Sequence, residues 1–180
     1  MSASTVAIET TPIMDTVIDA VRDVVRRGLP PAPTAELAGQ ALRPVLTDPG
    51  LLTAAQREGD PDRYRQHILH AESDGSFSVL ALVWLPGQGT PIHDHVSWCV
   101  TGVHRGQESE RRYELVSDGL TSRLVAREDV VNATGEIAWF APPGDIHSVR
   151  NAGPDKAISI HVYGADIAKL GTSVRRLYTA

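Results

Sequence analysis

The chain has 180 residues, of which 42% are hydrophobic, and it carries a formal net charge of −5 and one cysteine. This length suits one folding unit with a sizeable core, and an acidic balance without a basic stripe disfavours nucleic acid as a partner. A single cysteine excludes an intramolecular disulfide, and no apolar run approaches the roughly 20 residues needed to span a bilayer. We therefore expect a cytoplasmic protein that binds neither nucleic acid nor membrane.

The first third of the sequence predicts helices. From Ile13 the apolar residues recur with helical spacing, and Gly28 follows two arginines as a C-terminal stop. Thr34 fits the N-cap position of a second short helix that runs through Leu42. A third helix is predicted around residues 51–57.

From about Arg63 the sequence changes to short runs rich in Val, Ile, Leu and Trp, separated by turn signals such as SDGS, LPGQGT and NATGE. This pattern predicts seven or eight strands in a sandwich or jelly-roll barrel. The segment FSVLALVWL is apolar on both faces, which is typical of a buried strand. We expect one domain over residues 1–180, with a helical part at 1–58 and a β-barrel at 63–180.

The segment GQGTPIHDHVSWCVTGVHRG contains a His-x-His pair and the only cysteine. Side chains two residues apart share one face of a strand, so His93, His95 and Cys99 are predicted to point the same way. Two imidazoles on one face can chelate a metal ion, although such a pair also occurs by chance at surfaces. His147, in the segment PPGDIHSVRN, could complete a three-histidine face. Imidazole ligands suit zinc, copper, nickel or iron, so the spacing leaves the metal open.

These two segments resemble the paired motifs of the cupin family. Gly87, His93, His95 and Gly106 fit the first motif, with Cys99 at the position of the family's Glu, and PPGDIHSVRN fits the second. The resemblance implies a mainly β cupin fold, a double-stranded β-helix or jelly-roll barrel with N-terminal α-helices. Three neutral imidazoles without a carboxylate would leave the full charge of a divalent ion to be balanced by an anionic ligand such as a thiolate.

A cupin with three histidines and Cys in the Glu position is similar to the thiol dioxygenases, which include cysteine dioxygenase and 3-mercaptopropionate dioxygenase. Near the C-terminus, Ser159, His161 and Tyr163 alternate along a predicted strand and match the Ser-His-Tyr relay of that family. An ordinary core strand with a hydrogen-bonded histidine is the alternative interpretation. Three polar groups on one face of an otherwise apolar strand favour the relay.

Membership of this family implies that His93, His95 and His147 bind Fe(II). It also implies that both atoms of O2 are added to the sulfur of a small carboxylated thiol, 3-mercaptopropionate or cysteine, to give a sulfinic acid. The relay that ends at Tyr163 would steer protons and orient the substrate. In the mammalian type the Cys at this position is joined to the relay tyrosine by a thioether, so the resemblance allows a link between Cys99 and Tyr163.

Two positions give conflicting indications of the substrate. Gln66, in YRQHILH, stands where the mammalian type has a carboxylate-binding Arg and the mercaptopropionate branch has Gln, whereas Cys99 is typical of the mammalian type. Gln66 favours 3-mercaptopropionate, and Cys99 keeps cysteine open. The mercaptopropionate branch also uses a C-terminal arginine, which makes Arg175 or Arg176 a candidate for the substrate carboxylate; solvated charges at a chain end are the alternative.

The charge pattern predicts an exposed strand with salt bridges where Arg111, Arg112 and Tyr113 follow Glu108 and Glu110. The competing class of function is a metal-binding cupin that is not an oxygenase, either a small-molecule binding module or an isomerase that uses zinc or manganese. The relay residues and the cysteine in the Glu position are the sequence features that favour an oxygenase.

Overall fold

The computed structural model describes residues 9–179, and its N-terminal part is helical. The α-helices among these residues are α1 (Pro12–Val25), α2 (Pro31–Leu42) and the short α3 (Ile167–Leu170). The first helix is confirmed, and it begins where the backbone N–H of Met14 donates a hydrogen bond to the Thr11 hydroxyl over 3.1 Å. No helix within residues 9–179 is both long and apolar enough to cross a membrane.

Two helix predictions are wrong in detail. α2 begins at Pro31, and Thr34 lies inside its first turn, where its hydroxyl donates to the carbonyl of Pro30 over 2.9 Å. The fixed φ of proline suits the first turn of a helix, so the prolines begin this helix without an N-cap side chain. The third predicted helix is only a 3-10 turn at Ala55–Arg57, because a segment this short cannot offset the cost of helix nucleation.

The β part contains ten strands within the described residues, rather than seven or eight. They are β1 (Arg65–Ala71), β2 (Ser78–Trp84), β3 (Ile92–His95), β4 (Cys99–Arg105), β5 (Gln107–Ser117), β6 (Ser122–Ala133), β7 (Ile137–Phe140), β8 (His147–Arg150), β9 (Ala157–Tyr163) and β10 (Val174–Tyr178). Three of them, β3, β7 and β8, have only four residues each, which is too short for a clear alternating pattern in the sequence.

The strands form two five-stranded antiparallel sheets. The relay sheet has the order β1-β2-β9-β4-β7, and the histidine sheet has the order β10-β3-β8-β5-β6. Every residue of β2 is buried, as its doubly apolar sequence predicts. The mainly β cupin fold, a double-stranded β-helix with N-terminal α-helices, is confirmed.

The central strands of the relay sheet, β2, β4 and β9, are buried on both faces because the helices cover their outer side. One apolar cluster joins residues of α1 and α2 to the outward-facing side chains of β2, β4 and β9, such as Val79, Val100 and Ile160. The inward-facing side chains of the same strands alternate with these. Their polar members are therefore directed into the space between the two sheets.

The histidine pair and Cys99 do not share a strand, contrary to the sequence prediction. β3 ends at His95, the chain bends at residues 96–97, and β4 begins at Cys99 in the other sheet. The alternation rule applies only along a continuous strand, so it fails across this bend. The bend brings Cys99 to the opposite wall of the barrel from the histidines.

The exposed strand predicted at residues 108–113 is only partly exposed. Glu108 and Glu110 are 1% and 2% exposed and point into the barrel, whereas Arg111 pairs with Asp129 at the surface. The charge pattern could not distinguish these two faces, because both carry ionisable side chains.

Candidate metal centre

Three histidines from two neighbouring strands converge in the barrel. His93 and His95 lie on β3, and His147 begins β8 directly opposite His93. The ring centroids lie 4.8 Å apart for His93 and His95, 4.8 Å for His93 and His147, and 5.0 Å for His95 and His147. Their nearest nitrogens all lie within 4.8 Å of one another, so the group could hold one metal ion.

Each imidazole is fixed by a hydrogen bond from its other nitrogen. Nδ1 of His93 donates to the carbonyl of Pro91 over 3.0 Å, and Nδ1 of His95 donates to Asp145 over 2.9 Å. Nδ1 of His147 donates to Glu110 over 2.8 Å. These partners can only accept, which assigns the proton to Nδ1 and leaves each Nε2 with a free lone pair. Ligating histidines in proteins are oriented in this way.

The electrostatics keep His93 and His147 neutral and Glu110 ionised. Burial lowers the pKa of His93 to about 4, and the neighbouring histidines add to this effect. Burial also lowers the pKa of His147, against the opposing hydrogen bond to Glu110. Burial alone would raise the pKa of Glu110, but hydrogen bonds from His147 and Arg112 bring it down to about 2. Neutral imidazole is the form that binds a metal ion.

The predicted Ser-His-Tyr arrangement lies on β9, across the cavity from the histidine cluster. The Ser159 hydroxyl is 2.9 Å from Nε2 of His161, and Nδ1 of His161 is 3.0 Å from the Tyr163 hydroxyl. The indole N–H of Trp84 donates to Ser159 over 3.1 Å. Burial lowers the pKa of His161 to about 3 and raises that of Tyr163. These groups thus form a buried, neutral hydrogen-bonded chain.

Cys99 is the register partner of Tyr163 on the adjacent strand. Its side chain is 1% exposed and free, and burial raises the pKa of its thiol to about 12. A neutral buried thiol is a poor nucleophile, because the thiolate is the reactive form. The structure therefore brings Cys99 to the relay and not to the three histidines.

A cavity of about 110 Å³ connects the histidines with the relay. This is smaller than the roughly 300–1,000 Å³ of pockets for drug-sized ligands, so it suits a molecule of a few heavy atoms. No lysine, arginine, aspartate or glutamate lines it within residues 9–179. Its lining residues are Tyr64, Gln66, Leu82, Trp84, Thr90, Pro91, His93, His95, Thr101, His147, Val149, His161, Tyr163, Ser173 and Val174.

Gln66 lies at the outer end of this cavity. It is exposed on β1 and pairs in register with Leu82, whose own partner on the next strand is Ser159. Beside it, Tyr64 stacks on Trp84 with ring centroids 4.4 Å apart. The structure thus brings the amide of Gln66 to the mouth of the pocket that also contains the histidines and Tyr163.

The structure does not bring Arg175 to this cavity, contrary to the sequence prediction. A bulge in β10 between Val174 and Arg176 lets both arginines approach Asp94, each at 3.3 Å from Oδ2. Asp94 alternates with His93 and His95 on β3, so it lies on the opposite face of the strand. The arginines are therefore held at the outer side of the histidine sheet.

Comparison of the sequence with known proteins identifies a family that it matches. The family described as cysteine dioxygenase type I matches residues 54–171. The chain belongs to this family. The match to cysteine dioxygenase type I includes all three histidines, Cys99 and the Ser-His-Tyr residues.

Two cysteine dioxygenases illustrate the distance of the relationship. Cysteine dioxygenase type 1 of Danio rerio is 29% identical over 106 residues, covering 58% of this chain and 52% of the relative. The Homo sapiens protein of the same name is 26% identical over 106 residues, with the same coverage. The chain spans about half the length of these relatives.

Among solved structures, TT1209 from Thermus thermophilus is 22% identical, covering 63% of this chain and 96% of its own, with a TM-score of 0.48. A Cupin 2 conserved barrel domain protein from Salinispora arenicola is 21% identical, covering 67% of this chain and 89% of its own, with a TM-score of 0.44.

Sequence reasoning missed the residues that support the histidines. Asp145 and Glu110 hold His95 and His147, but they lie 50 and 37 residues away along the chain. The one local signal was Asp145, two positions before His147. Its place in the sequence does not indicate which histidine it contacts. Tyr64 was missed as well, although it stands two positions before Gln66 and so on the same face of an extended segment.

Proposed function

We propose that this protein is an Fe(II)-dependent thiol dioxygenase. It would add both atoms of O2 to the sulfur of a small carboxylated thiol and release a sulfinic acid. The observation that carries the proposal is one small cavity with three imidazole Nε2 atoms on one wall and the Tyr163 hydroxyl on the other. The alternative, a metal-binding cupin without oxygenase activity, gives no role to the buried chain of Ser159, His161 and Tyr163.

The donor set fits ferrous iron. His93, His95 and His147 would hold the ion through Nε2, and no carboxylate within residues 9–179 lines the cavity beside them. A bound iron ion would supply O2 activation and positive charge at the sulfur. Because the three imidazoles are neutral, an anionic ligand balances that charge, which favours binding of the substrate as a thiolate. Glu110 and Asp145 lie behind the imidazoles, where they raise ligand basicity without occupying a coordination position.

The relay residues would orient the substrate and move protons. Tyr163 presents its hydroxyl to the cavity, and His161 fixes that hydroxyl from behind. The pKa of His161 is lowered to about 3 and that of Tyr163 is raised, so both act as neutral hydrogen-bonding groups at neutral pH. Cys99 packs against Tyr163 as its register partner and would hold the ring in place, as a free thiol or through a thioether.

The lining of the cavity favours 3-mercaptopropionate over cysteine. The amide N–H of Gln66 would donate a hydrogen bond to the substrate carboxylate, a weaker contact than a bidentate arginine provides. The amino group of cysteine would need an acceptor, and no carboxylate lines this cavity within residues 9–179. An ammonium group without a partner would be costly to bury. A thiol that lacks the amino group avoids this cost.

A screen of small thiols on iron-loaded protein tests the proposal. We expect O2 consumption and sulfinate formation with 3-mercaptopropionate, and a lower kcat/KM with cysteine. H93A and H147A should lose both iron and turnover. R111A, which removes one surface ion pair with Asp129, is the matched control and should keep both. Sulfinate formation by either histidine variant, or none by the iron-loaded wild type with any thiol, contradicts the proposal.

A further inference from the structure

A phenyl ring covers the histidine cluster on the side away from the cavity. The ring centroid of Phe140, on β7, lies 5.0 Å from that of His147 and 6.4 Å from that of His95. Both histidines line the cavity and Phe140 does not, so the imidazoles lie between the ring and the cavity. The imidazoles are buried, whereas Phe140 is partly exposed. The ring therefore closes this end of the candidate metal site.

Arg112, on β5, lies over this ring and reaches solvent. Its guanidinium carbon is 5.5 Å from the ring centroid of Phe140, which is within the range of a cation–π contact. It also donates hydrogen bonds to Glu110 over 3.2 Å and to Glu128 over 3.1 Å. The side chain of Arg112 is 37% exposed. One ring and one guanidinium thus separate the histidines from bulk water on this side.

Carboxylates lie on the Phe140 side of the histidines, whereas none lines the cavity within residues 9–179. Arg112 bridges Glu110 and Glu128, and Glu110 also accepts a hydrogen bond from Nδ1 of His147. Outward rotation of the arginine would leave both carboxylates facing an approaching cation. Because carboxylates attract a hydrated divalent ion, this side is electrostatically more favourable for the ion than the uncharged cavity.

We propose that the metal ion enters and leaves its site past Phe140 and Arg112, and that the cavity serves the thiol and O2. This inference rests on the metal site of the proposed function. For the ion to pass, Arg112 moves off the ring and the ring turns away from His147. The ion exchanges water ligands for imidazoles, and no oxidation state changes. Such a route keeps metal loading independent of what occupies the cavity.

A gate and a structural support predict different kinetics. If the ring only supports the imidazoles, its loss speeds release, leaves uptake unchanged and lowers the affinity. If the ring blocks the route, its loss speeds uptake and release together and leaves the affinity nearly constant, because one barrier governs both directions. In the wild type the ring must separate from His147 and Arg112 before the ion passes. F140A should therefore raise both rates by about tenfold or more.

Mixing experiments on oxygen-free protein give both rates. Uptake is followed as the loss of free Fe(II) after it is mixed with metal-free protein. Release is followed as the formation of a coloured complex when excess chelator is added to iron-loaded protein. F140L keeps an apolar side chain but loses the flat ring, so its rates should lie between those of wild type and F140A. F140L also decides the question if F140A does not fold.

W139A is the matched control. Trp139 precedes Phe140 on the same strand, points to the opposite face and is 43% exposed, so both rates should equal those of wild type. Wild-type rates in both Phe140 variants overturn the route and leave the proposed function standing. Faster release with unchanged uptake overturns it as well, because the ring would then only support the histidines. Failure of the wild type to bind Fe(II) overturns the proposed function and this inference together.

Discussion

The two sheets face one cavity but differ in the charge of the groups that hold their functional side chains. On the histidine sheet, ionised Asp145 and Glu110 lie behind His95 and His147 and hold them by charge-assisted hydrogen bonds. On the relay sheet, the corresponding hydrogen bonds join neutral groups from Ser159 to Tyr163. Fixed charge orients a ligand, whereas a chain of neutral groups can reverse its hydrogen bonds without an ionic intermediate. The barrel thus has one wall suited to hold a metal ion and one suited to move a proton.

Glu108 and Glu110, both on β5, show the same contrast in charge two residues apart. The pKa of Glu110 is lowered to about 2 and that of Glu108 is raised to about 7, although burial acts to raise both. Glu110 receives hydrogen bonds from His147 and Arg112, whereas only the neutral Ser159 and Trp84 act to lower the pKa of Glu108, and the charge of Glu110 raises it further. The partners that a carboxyl group meets in the barrel, rather than its depth, decide its charge.

Removal of the Tyr163 hydroxyl, which is the end of the relay that faces the cavity, should have the largest effect on turnover. Y163F deletes the hydroxyl and leaves the three histidines untouched, so we expect turnover to fall by about 10²–10⁴-fold, as for loss of a positioned acid or base. Iron content should be unchanged. Oxygen consumption with 3-mercaptopropionate, beside metal analysis, checks this. Y113F, a change outside the cavity, is the control, and wild-type turnover by Y163F would show that the relay wall has no part in the reaction.

The contrast between the two glutamates predicts a pH dependence of stability. Glu108 has a pKa of about 7 in the folded state and 4.5 as its ordinary value, so between these values the folded state retains a proton that the unfolded state has lost. The contribution of Glu108 to the free energy of unfolding therefore falls as pH rises through this window, by about 3 kcal/mol in all, and then levels off. E108Q should not show this decrease in the free energy of unfolding.

Urea unfolding of wild type and E108Q at about pH 4.5 and about pH 8 tests this prediction. Relative to wild type, E108Q should gain about 3 kcal/mol between the two conditions. E114Q removes an exposed carboxylate from the same strand and should follow wild type. Parallel behaviour of wild type and E108Q would mean that Glu108 has the same pKa in the folded and unfolded protein, and the contrast with Glu110 would be lost.

Loss of the charge behind a histidine should weaken the metal site by less than loss of the histidine itself. E110Q keeps the shape of the side chain but no longer offers His147 an ionised acceptor. We expect iron affinity to fall by about 10–100-fold, the usual cost of losing such a partner. Competition with a chelator measures it. E128Q removes the other carboxylate that contacts Arg112 and is the control. Unchanged affinity in E110Q would show that the histidine wall does not depend on fixed charge.

The sequence predicts those parts of the molecule whose signals are local. α1 and β2 follow from periodicity, and Ser159, His161 and Tyr163 are brought together because alternation along a continuous strand is reliable. His93 and His147 could be grouped only through family spacing, since their contact joins two strands that are distant in the chain. These predictions needed no knowledge of how the sheets close.

The errors arise where structure depends on contacts across the barrel. A bend after His95 separates Cys99 from the histidines, and a bulge beside Val174 turns Arg175 toward Asp94. Neither feature has a distinctive local pattern. Glu108 was misplaced for a related reason: a carboxyl group that is buried by distant strands has the same sequence signature as one in solvent.

The smallest expected effect concerns the link between the relay and its neighbour. Cys99 and Tyr163 are register partners, so a bond from Sγ to a ring carbon of Tyr163 would join two adjacent strands at the cavity. Its formation removes two electrons and two protons, which O2 can accept. We expect the intact mass of aerobically iron-loaded protein to be lower by two hydrogen atoms, and the difference to map to a peptide that contains both residues.

The C99S variant should have full mass. Its turnover should fall by less than about tenfold, because the relay hydrogen bonds do not pass through sulfur. A wild-type protein of full mass whose unfolded form has an alkylatable thiol would show that packing alone positions Tyr163.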